Sequence, residues 1–461
     1  MCAIIGALVD RTIEAERDLI NMNISYIGSK SLQRGRDGWG YHINQSNGLK
    51  HNHKSIERSK WWINGTLFAR EGNQNSGTMI GNFRAEPTTE FVLNKTNQDQ
   101  QPYSLNKWNI VHNGTIANDK ELRTGEYITR IDSAAIVELL AAAGDITNRR
   151  HAELIFRDVI LKLKGSYAIL ATHDNHPDLI LAACNYRPIW YTRQDHTIYF
   201  ASSADYFPSN FAPKMMTPYS CWSFGTNYSH PLINNPDYGN KALIICSGGM
   251  DSVVAAAAMK AQKYEIELIH YRYGSRAEAR EVLAIQAVAD YYGVPVHLIP
   301  MNIYDPKDSP LLRSDSTIAG GEAGAEFAHE WVPARNLVML AMTTAFAEAK
   351  GIGTIVLGNN LEEAGAYPDN EPEFIKRFDG LLPFAVGDGR HVRIKMPVGD
   401  LMKHEIVAYG HELKAPLHLT WSCYRAGPVH CGTCGPCFMR RTAFEINKLP
   451  EVIQYANSQG A

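Results

Sequence analysis

The sequence has no run of about 18 uninterrupted apolar residues of the kind that spans a bilayer. Its start, Met1-Cys2-Ala3-Ile4-Ile5-Gly6, carries no cationic segment, and the short apolar stretch that follows ends at Asp10. The chain therefore reads as cytosolic (cytoplasmic), with neither a membrane span nor a secretory leader. A large excess of one charge is also missing: 45 Lys and Arg stand against 48 Asp and Glu, a formal −3, and there is no basic tail. This balance excludes a cationic surface as the driver of nucleic-acid binding and confines any such contact to a local patch. Cysteine is sparse, at 8 in 461 residues, so the disulfide framework of a small secreted domain is excluded. What the chain has is length, enough for two or three domains with substantial cores.

The most informative stretch is Ile244-Ile245-Cys246-Ser247-Gly248-Gly249-Met250-Asp251-Ser252, followed by the alanine-rich Val253 to Ala261. It predicts a buried strand, a turn of small residues and a helix. Two glycines let the backbone approach an anion, two serines offer hydroxyls, and the helix N-terminus supplies oriented N–H groups. No Lys follows the second glycine, so this is not a Walker loop. Further on, strand and helix patterns alternate: strand 265–273, helix 277–292, strand 294–300, helix 336–349 and strand 354–358. That rhythm predicts a doubly wound parallel sheet with helices on both faces. Its ligands should bind beyond the carboxyl ends of the strands, where Ser247 to Ser252 lie. Tyr271-Arg272-Tyr273-Gly274 ends a strand at the same edge and reads equally as an adenine or phosphate contact and as a buried aromatic strand. Residues 226–240, rich in Asn, Pro, Tyr, Ser and Gly, read as a linker between a domain over 1–225 and another over 241–461.

In the first half, Cys2 would present a thiol and an α-amino group on one residue once Met1 is removed. An amine titrating near pH 7.7–8.0 can accept the thiol proton at neutral pH. Polar clusters follow at the ends of predicted strands: Gln33-Arg34-Gly35-Arg36-Asp37-Gly38, Ile80-Gly81-Asn82-Phe83-Arg84-Ala85, Val111-His112-Asn113-Gly114 and Arg130-Ile131-Asp132-Ser133, the last opening an amphipathic helix over 134–143. Taken singly, Arg84 or Asp132 is a surface ion or a helix cap, and Asn-Gly is a common turn. As an ordered set with Cys2, over residues 2–225, they resemble the class II glutamine amidotransferases. That resemblance implies an αββα N-terminal-nucleophile sandwich with Cys2 as nucleophile. It also implies Arg84 on the glutamine α-carboxylate, Asp132 on the α-amino group, and Asn113 and Gly114 as donors to the oxyanion. Asn82 stands where many relatives carry His, and no Trp follows Arg84, departures that bear on loop closure over glutamine. His51-Asn52-His53 resembles the core of a nuclease signature but has polar surroundings and reads as a solvated loop. Cys184, Cys221 and Cys246 sit among apolar residues and read as small buried side chains.

Cys423, Cys431, Cys434 and Cys437 crowd into one segment. Four thiolates suit tetrahedral zinc with no open position, so the expected metal is structural, a disulfide being the alternative. His418 and His430 lie close by but are not needed as ligands. The phosphate loop, Trp331-Val332-Pro333-Ala334-Arg335-Asn336, Tyr367-Pro368-Asp369-Asn370-Glu371-Pro372-Glu373-Phe374 and the Thr420-Trp421-Ser422-Cys423 ending together resemble the 7-cyano-7-deazaguanine synthase family of ATP pyrophosphatases, over residues 241–445. The resemblance implies adenylation of 7-carboxy-7-deazaguanine, amide formation with ammonia, and a second activation that gives the nitrile. Ser247, Gly248, Gly249, Asp251 and Ser252 would hold ATP phosphates and magnesium, with Arg335 nearby. Asp369 and Glu373 would contact substrate or magnesium, unless Tyr-Pro-Asp is only a turn.

Joined to a glutaminase, such a domain implies ammonia passed from Cys2 to the adenylated base. Similar fusions of archaea and some phages are associated with converting the nitrile to the formamidine of archaeosine-type bases, which stands as the alternative. Asparagine synthetase shares the domain order but not the four-cysteine site, and a non-enzymatic nucleotide-responsive module would not be expected to keep both Cys2 and the loop. The implied partners are glutamine and a 7-deazaguanine base, free or within tRNA or DNA, and pairing into a homodimer as in the stand-alone synthases.

Overall fold

The computed structural model describes residues 2–10, 14–35, 37–56, 76–85, 95–127, 129–144, 146–226, 228–233, 237–318, 320–321, 330–364, 367–387, 390–451 and 453–456. The chain divides into two units, Met1–Pro236 and Asp237–Ala461.

In the first unit the strand Ala3–Val9 is buried along its whole length. Ala3, Ile5, Ala7 and Val9 belong to one face and Ile4 and Leu8 to the other, so the strand needs a packed layer on each side. On one side lies the helix Glu14–Ser31, whose Ile20, Ile24 and Ile27 share a helix face and pack on Ala3, Ile5 and Ala7. On the other side Ile4, Leu8 and Ile80 meet Val111, Leu170 and Ile180 of a second sheet. Among the described residues the first sheet runs, edge to edge, Lys214–Met215, Trp190–Gln194, Thr197–Ala201, Ala3–Val9, Gly77–Arg84, Gly38–Gln45 and Lys50–Ser55. The second runs Ser229–Ile233, Ser220–Gly225, His176–Cys184, Gly165–His173, Trp108–Ile116 and Tyr103–Leu105. All pairings are antiparallel. Helices Ala134–Ala142 and Arg149–Ile160 cover the outer face of the second sheet through Ile136, Leu140 and Phe156. The result is the expected αββα sandwich.

Three local expectations are corrected. Helix Ala134–Ala142 is not amphipathic, because its outward side is roofed by the segment 123–127. The fully buried Glu138 accepts N–H groups from Thr124 at 2.7 Å, Gly125 at 3.1 Å and Tyr127 at 2.9 Å. His51-Asn52-His53 is not a loop but part of the edge strand Lys50–Ser55, polar because it is exposed, with the His53 ring stacked 4.6 Å from Trp39. Within the expected linker, Ser229–Ile233 pairs with Ser220–Gly225 as an edge strand, a position that tolerates Pro231.

The second unit is built on a parallel sheet in the order Val296–Pro300, Glu265–Arg272, Lys241–Ile245, Thr354–Val356, Arg393–Lys395. Alternate residues again sort by face. Ala242, Ile244 and Leu268 pack under helices Met250–Ala261, Glu278–Tyr292, Lys403–Glu412 and Gly435–Ile446. Leu243, Ile269 and Ile355 pack on Arg335–Lys350 and Pro372–Ala385. The first strand of this unit, Lys241–Ile245, is central, and connections leave it in opposite directions. This makes a topological switch point between it and Thr354–Val356, with a crevice at their carboxyl ends.

Candidate functional site

In the first unit, Ala3 pairs with Phe83, which sets Cys2 beside the end of Gly77–Arg84, with Cys2 Sγ 3.7 Å from the Ala85 carbonyl. The loop before Gly38 closes over the same strand end. Asp37 N–H donates to the Arg84 carbonyl at 2.8 Å, and a Cβ at Gly35 would come within 2.1 Å of the Phe83 carbonyl. Arg36 of that motif lies outside the described residues. Arg84 is 4% exposed, and its Nη1 donates to the Asp99 carbonyl, which also accepts the Tyr103 hydroxyl at 3.2 Å.

The two sheets are tied at His112. Its carbonyl accepts Asn82 Nδ2 at 3.2 Å and Gln101 Nε2 at 3.1 Å, and its N–H donates to Gln101 Oε1 at 2.6 Å. The His112 ring lies 2.7 Å from Ser133 Oγ and 3.3 Å from the Ser166 carbonyl, and burial lowers its pKa, so the imidazole is neutral. The next residue, Asn113, is buried, and its Nδ2 has no hydrogen-bond partner among the described residues. An amide donor left unpaired inside a protein costs about 1–3 kcal/mol. Gly114 has φ +154°, and a Cβ there would sit 1.9 Å from the Ser166 carbonyl, so no other residue fits. Asp132 Oδ2 accepts the Ile116 N–H at 2.5 Å, and Oδ1 accepts the Ser133 N–H at 2.7 Å. Cys2 and Arg84 are thus joined by strand pairing, Asn113 and Asp132 by their strand and helix ends, and the two pairs by the Asn82–His112 bridge. Gln101 carries no recognisable motif, because it supports His112 from 11 residues away, whereas His112 and Ser133 lie inside the polar clusters beside Asn113 and Asp132, the residues that the resemblance singles out.

In the second unit a cavity of about 300 Å³ opens at the switch point, with Ser247, Asp251, Glu281, Arg335, Asn360 and Lys403 among its lining residues. The helix after the phosphate loop starts at Met250, three residues earlier than expected, because Gly249 takes the extended capping conformation. Gly248 has φ +79°, Ser247 Oγ accepts the Gly249 N–H at 3.2 Å, and Ser252 Oγ donates to the Gly249 carbonyl at 3.1 Å. A Cβ at Gly358 would lie 2.6 Å from Ser252 N, so only glycine lets the neighbouring strand end come so close. Asp251 Oδ2 accepts Lys403 Nζ at 2.5 Å and Asn360 Nδ2 at 3.4 Å, while its buried Oδ1 has no hydrogen-bond partner among the described residues. Lys403, 152 positions away, thus supplies the cation that the loop itself lacks. Arg335 Nη1 donates to Tyr273 OH at 3.2 Å. Tyr271 also borders the cavity, but its hydroxyl pairs with Thr343 Oγ1 at 2.7 Å, and Arg272 pairs with Glu278 at 2.9 Å.

Asp369 and Glu373 are not brought to the cavity. Asp369 Oδ2 accepts the Asn336 N–H at 2.9 Å, holding the start of helix Arg335–Lys350. Glu373 is 61% exposed and pairs with Arg377 one turn on at 2.9 Å. Pro368–Asn370 form a one-turn lead into the helix Pro372–Ala385, while Tyr367 and Asn370 themselves line the cavity.

The sulfurs of Cys423, Cys431, Cys434 and Cys437 all lie within 4.8 Å of one another. Two of their separations are 3.9 and 4.0 Å, close to the edge of about 3.8 Å expected for a tetrahedron with metal–sulfur bonds of about 2.3 Å. Backbone N–H groups of Arg425, Cys431, Thr433 and Cys434 donate to Cys423 and Cys431 sulfurs at 3.3–3.4 Å, as they do around bound thiolates. The set fits zinc. His430 accepts the Ser422 N–H at 3.0 Å and lies outside the group. The fully buried Arg440 braces the site, donating to the Leu417 carbonyl at 2.9 Å and to Thr420 Oγ1 at 2.6 Å and pairing with Glu451. Cys184, Cys221 and Cys246 are buried as expected, and burial pushes the Cys184 thiol up to about 12.

Residues 241–448 match the family model described as queuosine biosynthesis protein QueC, and residues 88–209 match one described as a glutamine amidotransferase domain. The chain is 40% identical to 7-cyano-7-deazaguanine synthase 2 of Sulfurisphaera tokodaii, over 99% of this chain and 100% of that protein. It is 39% identical to the 7-cyano-7-deazaguanine synthase of Saccharolobus solfataricus, over 99% of each. A shorter synthase, from Methanothrix thermoacetophila, is 40% identical and covers 47% of this chain and 98% of its own length. A solved glutamine phosphoribosylpyrophosphate amidotransferase from B. subtilis aligns over 90% of both chains with 15% identity and a TM-score of 0.40, too little to argue from. With full-length relatives at this identity, the chain belongs to the 7-cyano-7-deazaguanine synthase family.

Proposed function

We propose that this chain inserts glutamine-derived nitrogen at C7 of a 7-deazaguanine, converting 7-carboxy-7-deazaguanine to the nitrile at the expense of ATP. Cys2 Sγ, its proton taken by the residue's own α-amino group, attacks the amide carbon of glutamine. Asn113 Nδ2 and the Gly114 N–H receive the oxyanion, ammonia leaves, and water releases glutamate. Arg84 and Asp132 hold the two charged ends of glutamine. In the second unit the substrate carboxylate attacks the α-phosphorus of ATP and pyrophosphate departs. The phosphate loop, Arg335 and Lys403 cradle the phosphates. Magnesium, for which Asp251 Oδ1 is an open ligand position, would neutralise charge on the departing pyrophosphate. Ammonia displaces AMP to give the amide, and a second adenylation, on the amide oxygen, leads to the nitrile.

The observation that carries this reading is the complete phosphate cradle beside an open cavity, with a buried carboxylate oxygen of Asp251 that has no hydrogen-bond partner among the described residues. Asp251→Ala should abolish ATP consumption driven by 7-carboxy-7-deazaguanine while leaving glutamine hydrolysis intact. A fully active variant would remove the loop from the mechanism.

A further inference from the structure

The cavity of the second unit holds an acid that adenylation leaves unused. Glu281 lies in the first turn of helix Glu278–Tyr292, which packs directly on the phosphate loop: a Cβ at Gly248 would come 3.0 Å from the Glu281 carbonyl. Glu281 lines the cavity, and its carboxyl group feels the charge of Arg335, which lines it too. Ser275 Oγ donates to Glu281 Oε2 at 2.9 Å, and this is its one side-chain hydrogen bond among the described residues, leaving Oε1 without a partner. Charged groups facing it are Arg335, from the helix opposite, and Glu278, with the Tyr273 phenol alongside. Burial pushes its carboxyl up to about 7, against the Ser275 hydrogen bond and the Arg335 charge, which favour ionisation. Asp251, by contrast, is held by Lys403 and Asn360. A carboxylate poised near neutrality is matched to moving protons at working pH.

The proposed reaction, on which this inference rests, has two steps that must shed a proton from nitrogen. Ammonia becomes positively charged as it bonds to the acyl carbon, and the activated amide must give up N–H protons to reach a nitrile. We propose that Glu281 is the catalytic base for both. In the first step the ammonia lone pair forms the carbon–nitrogen bond and Glu281 takes the proton. The carbon–oxygen bond to AMP then breaks, and AMP leaves with that electron pair. In the second, after the amide oxygen has displaced pyrophosphate, the adenylated amide carries two protons on nitrogen: one passes to solvent, Glu281 takes the other, the carbon–nitrogen triple bond forms, and the carbon–oxygen bond breaks so that AMP departs with its electron pair. Between steps the carboxylic acid returns its proton to solvent.

The test compares the full-length wild type with Glu281→Gln and Glu281→Asp. Two rates are read: pyrophosphate exchange into ATP driven by 7-carboxy-7-deazaguanine, and amide formation with added ammonium, corrected for free ammonia, between about pH 6 and 9. The expected result is exchange within about twofold of wild type in Glu281→Gln, amide formation lower by about a hundredfold, loss of the acid limb of the pH profile, and partial recovery in Glu281→Asp. Wild-type amide formation by Glu281→Gln would overturn the proposal. So would a loss confined to KM for the base, which would assign Glu281 to base recognition, or a parallel loss of exchange in a variant of unchanged zinc content and melting temperature. Absence of exchange in the wild type would overturn the proposed function and this inference with it, whereas failure of the inference alone leaves exchange intact.

Discussion

Asn113 and Gly114 are neighbours whose replacement should fail in different ways. Asn113 Nδ2 is buried and without a partner among the described residues, so Asn113→Ala removes no internal hydrogen bond through that nitrogen. It should lower kcat for glutamine hydrolysis by about a hundredfold. Its melting temperature should stay the same or rise, a kinetic and calorimetric split that a merely structural Asn would not give. Gly114→Ala drives a Cβ to 1.9 Å from the Ser166 carbonyl at φ +154° and should lower stability and activity together. Both residues were legible in the sequence because a short motif carries them. Lys403 was not, since its partner Asp251 lies 152 positions away and nothing in Met402-Lys403-His404 signals a phosphate site. Asp369 is a different case: an Asp at a Pro-bounded turn is chemically able to bind substrate, and one of its oxygens accepts the N–H at a helix start.

At the scale of elements, Asp174 sits in the turn between the strands Gly165–His173 and His176–Cys184 and joins the two sheets of the first unit. It receives Lys50 Nζ at 2.9 Å and Asn109 Nδ2 at 2.8 Å and lies 3.4 Å from His42 Nε2. Burial alone would raise its pKa, but these partners outweigh burial and hold it below the usual carboxylate range. A depressed folded value means that the stabilisation is complete above the unfolded value of about 3.9 and is lost as pH falls through the folded one. Asp174→Asn should therefore cost about 2 kcal/mol at neutral pH. The gap to wild type in urea titrations should close as pH drops below about 4. A gap unchanged with pH would show that shape rather than charge matters there. The strand Lys241–Ile245, buried on both faces, could be read from the sequence because its apolar residues run unbroken after Lys241. The edge strands Lys50–Ser55 and Ser229–Ile233 could not. One face of each meets solvent, so polar residues and proline are admitted and the text looks like loop.

At the scale of the whole chain, the proposed mechanism keeps the chemistry of the two units separable. Cys2→Ala should abolish glutamine-supported product formation while added ammonium restores it, and loss of both activities would argue against separate sites. The four-cysteine group should hold about one zinc ion per chain by metal analysis. Chelation should lower the melting temperature and ATP-dependent activity with little effect on glutamine hydrolysis. Domain order and the type of each domain were legible because each carries a compact signature. Whether the base is taken free, in tRNA or in DNA is not written in any short motif, since a binding groove is assembled from residues distant in sequence.

The most direct measurement is mass spectrometry of products formed from glutamine labelled at its amide nitrogen, with ATP, magnesium and 7-carboxy-7-deazaguanine, alongside the 7-cyano base supplied free and within RNA or DNA. The proposed reaction gives a labelled nitrile from the carboxylate, with one ATP cleaved to AMP for each activation. A labelled formamidine formed from the nitrile without ATP, and no product from the carboxylate, would contradict it.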